Sequence, residues 1–319
     1  MSNQNMTPVT VYAPASVGNI GPGFDTLGMA VTGMGDQITG YLEDSQAGDR
    51  ILSISGAWSD LPMDPGQNTA TIAARIILDK AGLANKDLVM AIEKGVPGSG
   101  LGSSAASAVG GAFLGNVLAG NLFSEQDILE AAANAESRVS GGYFLDNVSA
   151  CLYGGVTVSI SSLKRSFRFG AINGIHLLFI VPRELLKTAE SRKAIPEKVP
   201  FASSVEAIMR TAGILTAVSS NNPELFCEMV NDPLVSPYRG PLIPLYSSIR
   251  ETALEAGASN LVISGAGSTM VALSPRQNVI QKVQDAMETF LNNQEYSAVL
   301  IPSTIDSKGA RIVNRPSSL

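Results

Sequence analysis

Histidine is almost missing from this 319-residue chain: His176 is the only one. A Ser-His-Asp triad or a multi-histidine metal site would have to use it, and it sits in the apolar run 174–181, which reads as a buried strand. The two cysteines, Cys151 and Cys227, are too few for a disulfide framework or a cysteine-rich zinc site and fit a reducing compartment. Charge is sparse as well. Charged residues make up 16%, the net charge is −6, and no dense run of Lys or Arg occurs, which argues against a nucleic-acid partner. The opening MSNQNMTPVT has no basic segment followed by an apolar one, so no secretory leader is expected. The most membrane-like stretch, 105–123, is broken by Asn116 and Asn121 and is rich in Gly and Ala; it reads as a buried helix rather than a membrane span. The expectation is a cytoplasmic protein with no membrane partner.

At 45% hydrophobic residues, the chain can bury a real core, in one large domain or two of ordinary size. Strands are predicted at 9–13, 51–55, 88–94, 153–162, 175–181, 260–264, 270–274 and 298–301. Helices are predicted at 68–81, 105–122, from Ser124 to near 141, and at 203–218, 223–229, 243–256 and 279–292. Ser124 and Asp127 make an acidic version of a capping box. Short strands in mixed order with helices predict an α+β fold. A division near residue 165, giving 1–165 and 166–319, is placed at the first basic stretch, 164–168.

The most informative segment is Pro97-Gly98-Ser99-Gly100-Leu101-Gly102-Ser103-Ser104-Ala105-Ala106-Ser107. Its glycines let the backbone turn tightly and approach a ligand. A helix follows at once, with free N–H groups and a positive dipole end, so the segment makes an anion site. It has no lysine for a G-x-x-x-x-G-K-[ST] loop, and Ser103 spoils G-x-G-x-x-G. On its own, the loop also fits a glycine-rich helix start with no ligand.

Two other constellations stand out. Residues 14–28, PASVGNIGPGFDTLG, fix an unusual turn that carries Asn19 and Asp25; a plain turn with an Asx cap fits them equally. Glu136 lies in the last turn of its helix, where the dipole disfavours an anion, so a cation partner such as magnesium suits it, as does simple surface exposure near Arg138. Asp146 and Asn147 follow a double glycine and a short aromatic segment.

Three motifs in order, 13–28, 97–107 and Ile263-Ser-Gly-Ala-Gly-Ser-Thr-Met-Val-Ala-Leu273, resemble those of the GHMP kinase superfamily over about residues 9–315. Within it, 13–25, Ser140-Gly141, Asp146-Asn147-Val148, Thr188-Ala-Glu-Ser-Arg192 and Pro237-Tyr-Arg239 are similar to the homoserine-phosphorylating branch. The resemblance implies two α+β domains, the first with a left-handed β-α-β crossover and the second ferredoxin-like, with ATP between them, and a homodimer. It implies ATP and Mg2+ as cofactors and a small amino acid as acceptor. The loop 97–105 would cradle the triphosphate, Asn68 would lie near the adenine, and Ser104 and Glu136 would hold the metal. Asn19, Asp25, Asn147, Thr188, Arg192, Arg239 and Gly265 would line the amino-acid pocket, with Asp25 on the ammonium group. Asn147 and Arg192 would serve the reaction itself. Asn147 stands where some relatives have an aspartate base; a neutral amide cannot take the proton. The chain departs from the branch in having Phe144 where a His is usual, with Tyr143 as a candidate replacement, and in lacking the proline of Asn-Val-Ala-Pro.

Overall fold

The computed structural model describes residues 7–140, 142–183, 186 and 188–313. β1 (Val9–Gly18) runs antiparallel to the long β2 (Leu27–Glu43); β3 (Arg50–Ser55), α1 (Thr69–Lys80) and β4 (Asp87–Glu93) form a β-α-β unit with parallel strands. Three helices follow, α2 (Ser103–Leu118), α3 (Glu125–Ser140) and α4 (Asp146–Tyr153), and then the hairpin β5 (Val156–Ile160) and β6 (Arg165–Gly170). After β7 (His176–Pro182) come α5 (Thr188–Lys193), α6 (Phe201–Ser219), α7 (Pro223–Met229), α8 (Ser236–Arg239) and α9 (Tyr246–Glu255). β8 (Asn260–Ile263), β9 (Met270–Ser274), α10 (Gln277–Asn293), β10 (Ala298–Thr304) and β11 (Arg311–Val313) complete the order.

The strands make two sheets. The first has the order β11-β1-β2-β4-β3, with β5 on the near half of β2 and β6 beside it. The second has the order β10-β7-β9-β8, all antiparallel. With helices between β7 and β8 and between β9 and β10, this is the β-α-β-β-α-β ferredoxin-like arrangement. The expected two-domain α+β architecture is thus what the chain forms. Residue 165, the expected division, is the first residue of β6, which still pairs in the first sheet; the second sheet begins at His176.

α2 is the packed centre of the first domain. A Cβ on Gly111 would collide with the Ala70 carbonyl of α1, and one on Gly110 with Ile38 of β2. Small residues therefore let α2 lie tight between α1 and the sheet, which explains why it is Gly- and Ala-rich and almost wholly buried, as a core helix is. It stops at Leu118, four residues before the expected end, where Gly120 and Asn121 take positive φ (85° and 60°). α3 starts with the expected acidic capping box: the Ser124 N–H donates to Asp127 Oδ2 (3.0 Å) and the Asp127 N–H to Ser124 Oγ (3.3 Å). The strand expected at 153–162 begins only at Val156, because Tyr153 closes α4. Among the described residues one helix, α6, is long and apolar enough to cross a membrane; its Ala207, Ile214, Ala217 and Val218 are buried in the protein.

Candidate functional site

The glycine loop between β4 and α2 is shaped by two left-handed residues, Gly100 (φ 83°) and Gly102 (φ 66°). A side chain on Gly100 would strike the Ser264 carbonyl, and one on Gly102 the Ser16 hydroxyl, so these positions require glycine. Between them Leu101 is fully buried and anchors the loop in the core. Gly102 begins α2, and no side chain caps the helix, which leaves its positive N-terminal end facing the cleft.

The 264–269 turn of the second domain closes over this loop. The Ser264 hydroxyl donates to the Gly100 carbonyl (2.7 Å), and the Ser268 N–H donates to Ser99 Oγ (3.1 Å). The Gly265 N–H donates to the Gly18 carbonyl (3.1 Å). The three motifs, far apart in sequence, therefore meet at one place.

Asn19 and Asp25 both have left-handed backbones (φ 55° and 54°), a conformation that Asn and Asp tolerate better than most residues. The Asp25 N–H donates to Asn19 Oδ1 (2.8 Å), and the Asn19 N–H donates to Asp146 Oδ2 (3.1 Å). The Asp25 carboxylate takes both amino groups of Arg192, at 2.8 and 3.0 Å. The Arg192 guanidinium also lies over the Phe144 ring, 4.3 Å from its centroid. Phe144 thus fills the usual histidine position with a face that carries a cation. Tyr143 is turned instead toward Lys164, 5.5 Å above its ring, and against the core; it does not replace the missing imidazole in the cleft. Arg239 is 2% exposed, with Nη1 donating to the Gly265 carbonyl (3.0 Å).

Two acids sit deeper. Burial, reinforced by Asp146, pushes the Glu136 carboxyl up to about 8; burial, reinforced by Asp25, pushes Asp146 up to about 6. The Ser104 hydroxyl is sealed from solvent without a hydrogen-bond partner, and Glu136 Oε2 is sealed as well. An orphaned hydroxyl and two carboxyl groups around one cavity are an oxygen donor set suited to a hard cation, whose charge would favour the ionised acids. Among the described residues no three His, Cys, Asp or Glu side chains converge on one metal position, so such a cation would take its remaining oxygens from a ligand and water. Asn147 Oδ1 accepts from Ser16 Oγ (3.1 Å), which leaves the Asn147 NH2 to donate.

These groups surround a cavity of about 180 Å3. Of the residues expected from the sequence, Asn19, Asp25, Gly98, Gly100, Gly102, Ser103, Ser104, Glu136, Asn147, Arg192, Arg239 and Gly265 line it together. Pro97, Ser99, Leu101 and Ala105 are buried in the loop's foundation rather than on its face. Asn68, expected near the adenine, is not among the residues lining this cavity; its Oδ1 caps α1 by accepting from the Ala70 N–H (3.0 Å), and its Nδ2 donates to the Pro62 carbonyl (3.0 Å). The Thr188 side chain lies outside the described residues. Asp146 also lines the cavity, and the sequence reading gave it no role although it adjoins Asn147. A larger hollow of about 400 Å3 on the bare face of the first sheet, lined by Thr10, Gln37, Thr39 and Glu93 among others, has neither a glycine loop nor a helix end.

Family models for the GHMP kinases N terminal domain and the GHMP kinases C terminal match residues 68–155 and 214–293. A homoserine kinase of Methanocella arvoryzae is 31% identical over 97% of this chain and 99% of its own. One of Caldanaerobacter subterraneus subsp. tengcongensis is 34% identical over 97% and 96%. The crystal structure of homoserine kinase from Cytophaga hutchinsonii superposes with a TM-score of 0.90 at 31% identity, covering 98% of this chain and 99% of that one.

Proposed function

The chain belongs to the GHMP kinases, and from that premise we propose that it transfers the terminal phosphoryl group of ATP to the side-chain hydroxyl of L-homoserine, giving O-phospho-L-homoserine, a step toward threonine. The observation that carries this reading is the meeting of the glycine loop with Asp25, Arg192 and Arg239 in one cavity, in a chain whose relatives, matched over nearly their whole length, are homoserine kinases.

The residues divide the task by charge. The amides of 100–104 and the open end of α2 receive the triphosphate. Ser104 and Glu136 hold magnesium, which neutralises charge on the phosphate oxygens when bound. Asp25 and Arg192 neutralise each other in the free enzyme. A zwitterion offers each a replacement of the same sign as the one it loses: an ammonium group for Asp25, and a carboxylate for Arg192 and for Arg239 behind it. Thr188 belongs to the acceptor-binding set by the family resemblance alone. Asn147 directs its NH2 at the acceptor hydroxyl and orients it without taking its proton. Catalysis is then positioning plus charge stabilisation, the usual course of phosphoryl transfer. The reading includes a cytoplasmic homodimer, on the family resemblance alone.

The test is ATP consumption with homoserine, threonine, serine, shikimate and mevalonate as acceptors. Homoserine is expected to be turned over with the highest kcat/KM. Turnover of another acceptor with none of homoserine overturns the reading.

A further inference from the structure

No lysine faces the cleft from the glycine loop, yet a lysine stands directly behind it. Lys94 is 1% exposed and Asp36 0%. The Lys94 ammonium is hydrogen-bonded to Asp36 Oδ2, to the Ser103 carbonyl (2.7 Å) and to Ser107 Oγ (3.0 Å), so its three protons meet three acceptors. Asp36 in turn accepts from Ser107 Oγ (2.9 Å) and from the amides of Gly95 (3.2 Å) and Val96 (3.3 Å). Burial pushes Lys94 down and Asp36 up, against their mutual attraction. The ion pair suits the surroundings: the ammonium donates to three acceptors, and the carboxylate accepts from the Ser107 hydroxyl and two backbone amides as well as from Lys94.

The pair touches both ends of the loop. Gly95 and Val96 lead into it, and Ser103 and Ser107 lie in the first turns of α2, where Ser103 Oγ also donates back to the Val96 carbonyl (3.0 Å). In a trans peptide the N–H points opposite to the carbonyl. The carbonyl of Ser103 faces Lys94, so the N–H of Ser104 faces the other way, toward the cleft. A cation on that carbonyl also polarises the peptide and strengthens the amide as a donor.

We infer that the buried Lys94–Asp36 pair is the positioning device of the anion loop: it fixes the two ends of the loop and aims the Ser104 amide at the phosphates. The inference rests on the kinase reading for the identity of the anion, an ATP phosphate. Neither residue lines the cavity.

Two variants of the full chain test it, with the thermal midpoint, the KM values for ATP and homoserine, and kcat measured for each. Replacing a buried ion pair by apolar residues often leaves stability unchanged, so Lys94→Met with Asp36→Leu separates loop aim from fold stability. Ser107→Ala removes only the hydroxyl that links the pair and retains both charges. The double variant is expected to raise the ATP KM on the order of tenfold or more, and Ser107→Ala roughly threefold, with the homoserine KM within about twofold of the parent in both. An ATP KM unchanged in Ser107→Ala, or in a folded double variant, overturns the inference. A parent enzyme that turns over ATP with homoserine, alongside such unchanged variants, overturns this inference alone; an inactive parent overturns the kinase reading.

Discussion

Arg192 and Asp25 face each other across the mouth of the cleft, two guanidinium nitrogens on two carboxylate oxygens at 3.0 and 2.8 Å, each residue about a third exposed. The pair is partly solvated, so it contributes little to the fold and can exchange partners. Arg192→Ala and Asp25→Ala are therefore expected to leave the thermal midpoint within a few degrees while raising the homoserine KM roughly tenfold to a hundredfold, with the ATP KM changing far less. Steady-state kinetics with each substrate varied checks this. Arg192→Lys should rescue poorly, because an ammonium group cannot reproduce the two parallel hydrogen bonds or the stacking on Phe144.

Gly100 has φ 83° with the Ser264 carbonyl pressed against it. Gly100→Ala is expected to destabilise the enzyme by at least about 1–2 kcal/mol from the backbone conformation alone. It should also push the 264–269 turn off the loop, lowering nucleotide affinity more than homoserine affinity. Calorimetric titration with ADP and denaturant melts measure the two effects separately.

The deep acids give stability a pH dependence. Glu136 is raised from 4.5 to about 8 and Asp146 from 3.8 to about 6. Both therefore hold protons more tightly folded than unfolded. Their contribution to stability is fully present below about pH 4 and is lost as the pH climbs through about 6 and then about 8. The metal-free enzyme should lose thermal stability between pH 5 and 8, about a span that Glu136→Gln narrows at its upper end. Magnesium with ADP should oppose the loss in the parent, and far less in Glu136→Gln, whose magnesium-dependent turnover should also drop sharply. A parent midpoint that rises over that span contradicts the assignment.

The Asp146 carboxylate already accepts the Asn19 amide and is 2% exposed, while the neighbouring Asn147 has no basic atom to offer. The single-turnover rate at saturating magnesium and substrates is expected to show no carboxylate ionisation, and Asn147→Ala to lower kcat more than it raises the homoserine KM. An ionisation in the rate that vanishes in Asp146→Asn would make Asp146 the base.

Local signals made much of this site legible. The glycine loop declares itself because three glycines and a helix start are adjacent in the chain, and the Ser124–Asp127 box because its partners are three residues apart. The grip of Ser264 on Gly100 spans 164 residues, and that of Lys94 on Asp36 spans 58; neither leaves a trace in a local pattern. β2 escaped because its glycines break the strand signature. They are there for packing: a side chain on Gly35 would strike the Tyr12 ring, and one on Gly40 would crowd Leu114 of α2. β6, read only as a basic exposed stretch, alternates too weakly (Ser166 is its one buried residue), and β11 is only three residues long. The capping of α1 by Asn68 was not read from the sequence, because an N-cap asparagine and a ligand-binding one look alike until the partners are seen.

β11 lies against β1, with Thr10 opposite Val313. The second domain is therefore spliced into the first rather than strung after it. Cutting the chain behind Gly170 would strip β1 of its outer neighbour and bare a ladder of hydrogen-bonding groups that other molecules can join. The nucleotide half, expressed by itself, should clump unless residues 311–313 are grafted back beside the first strand.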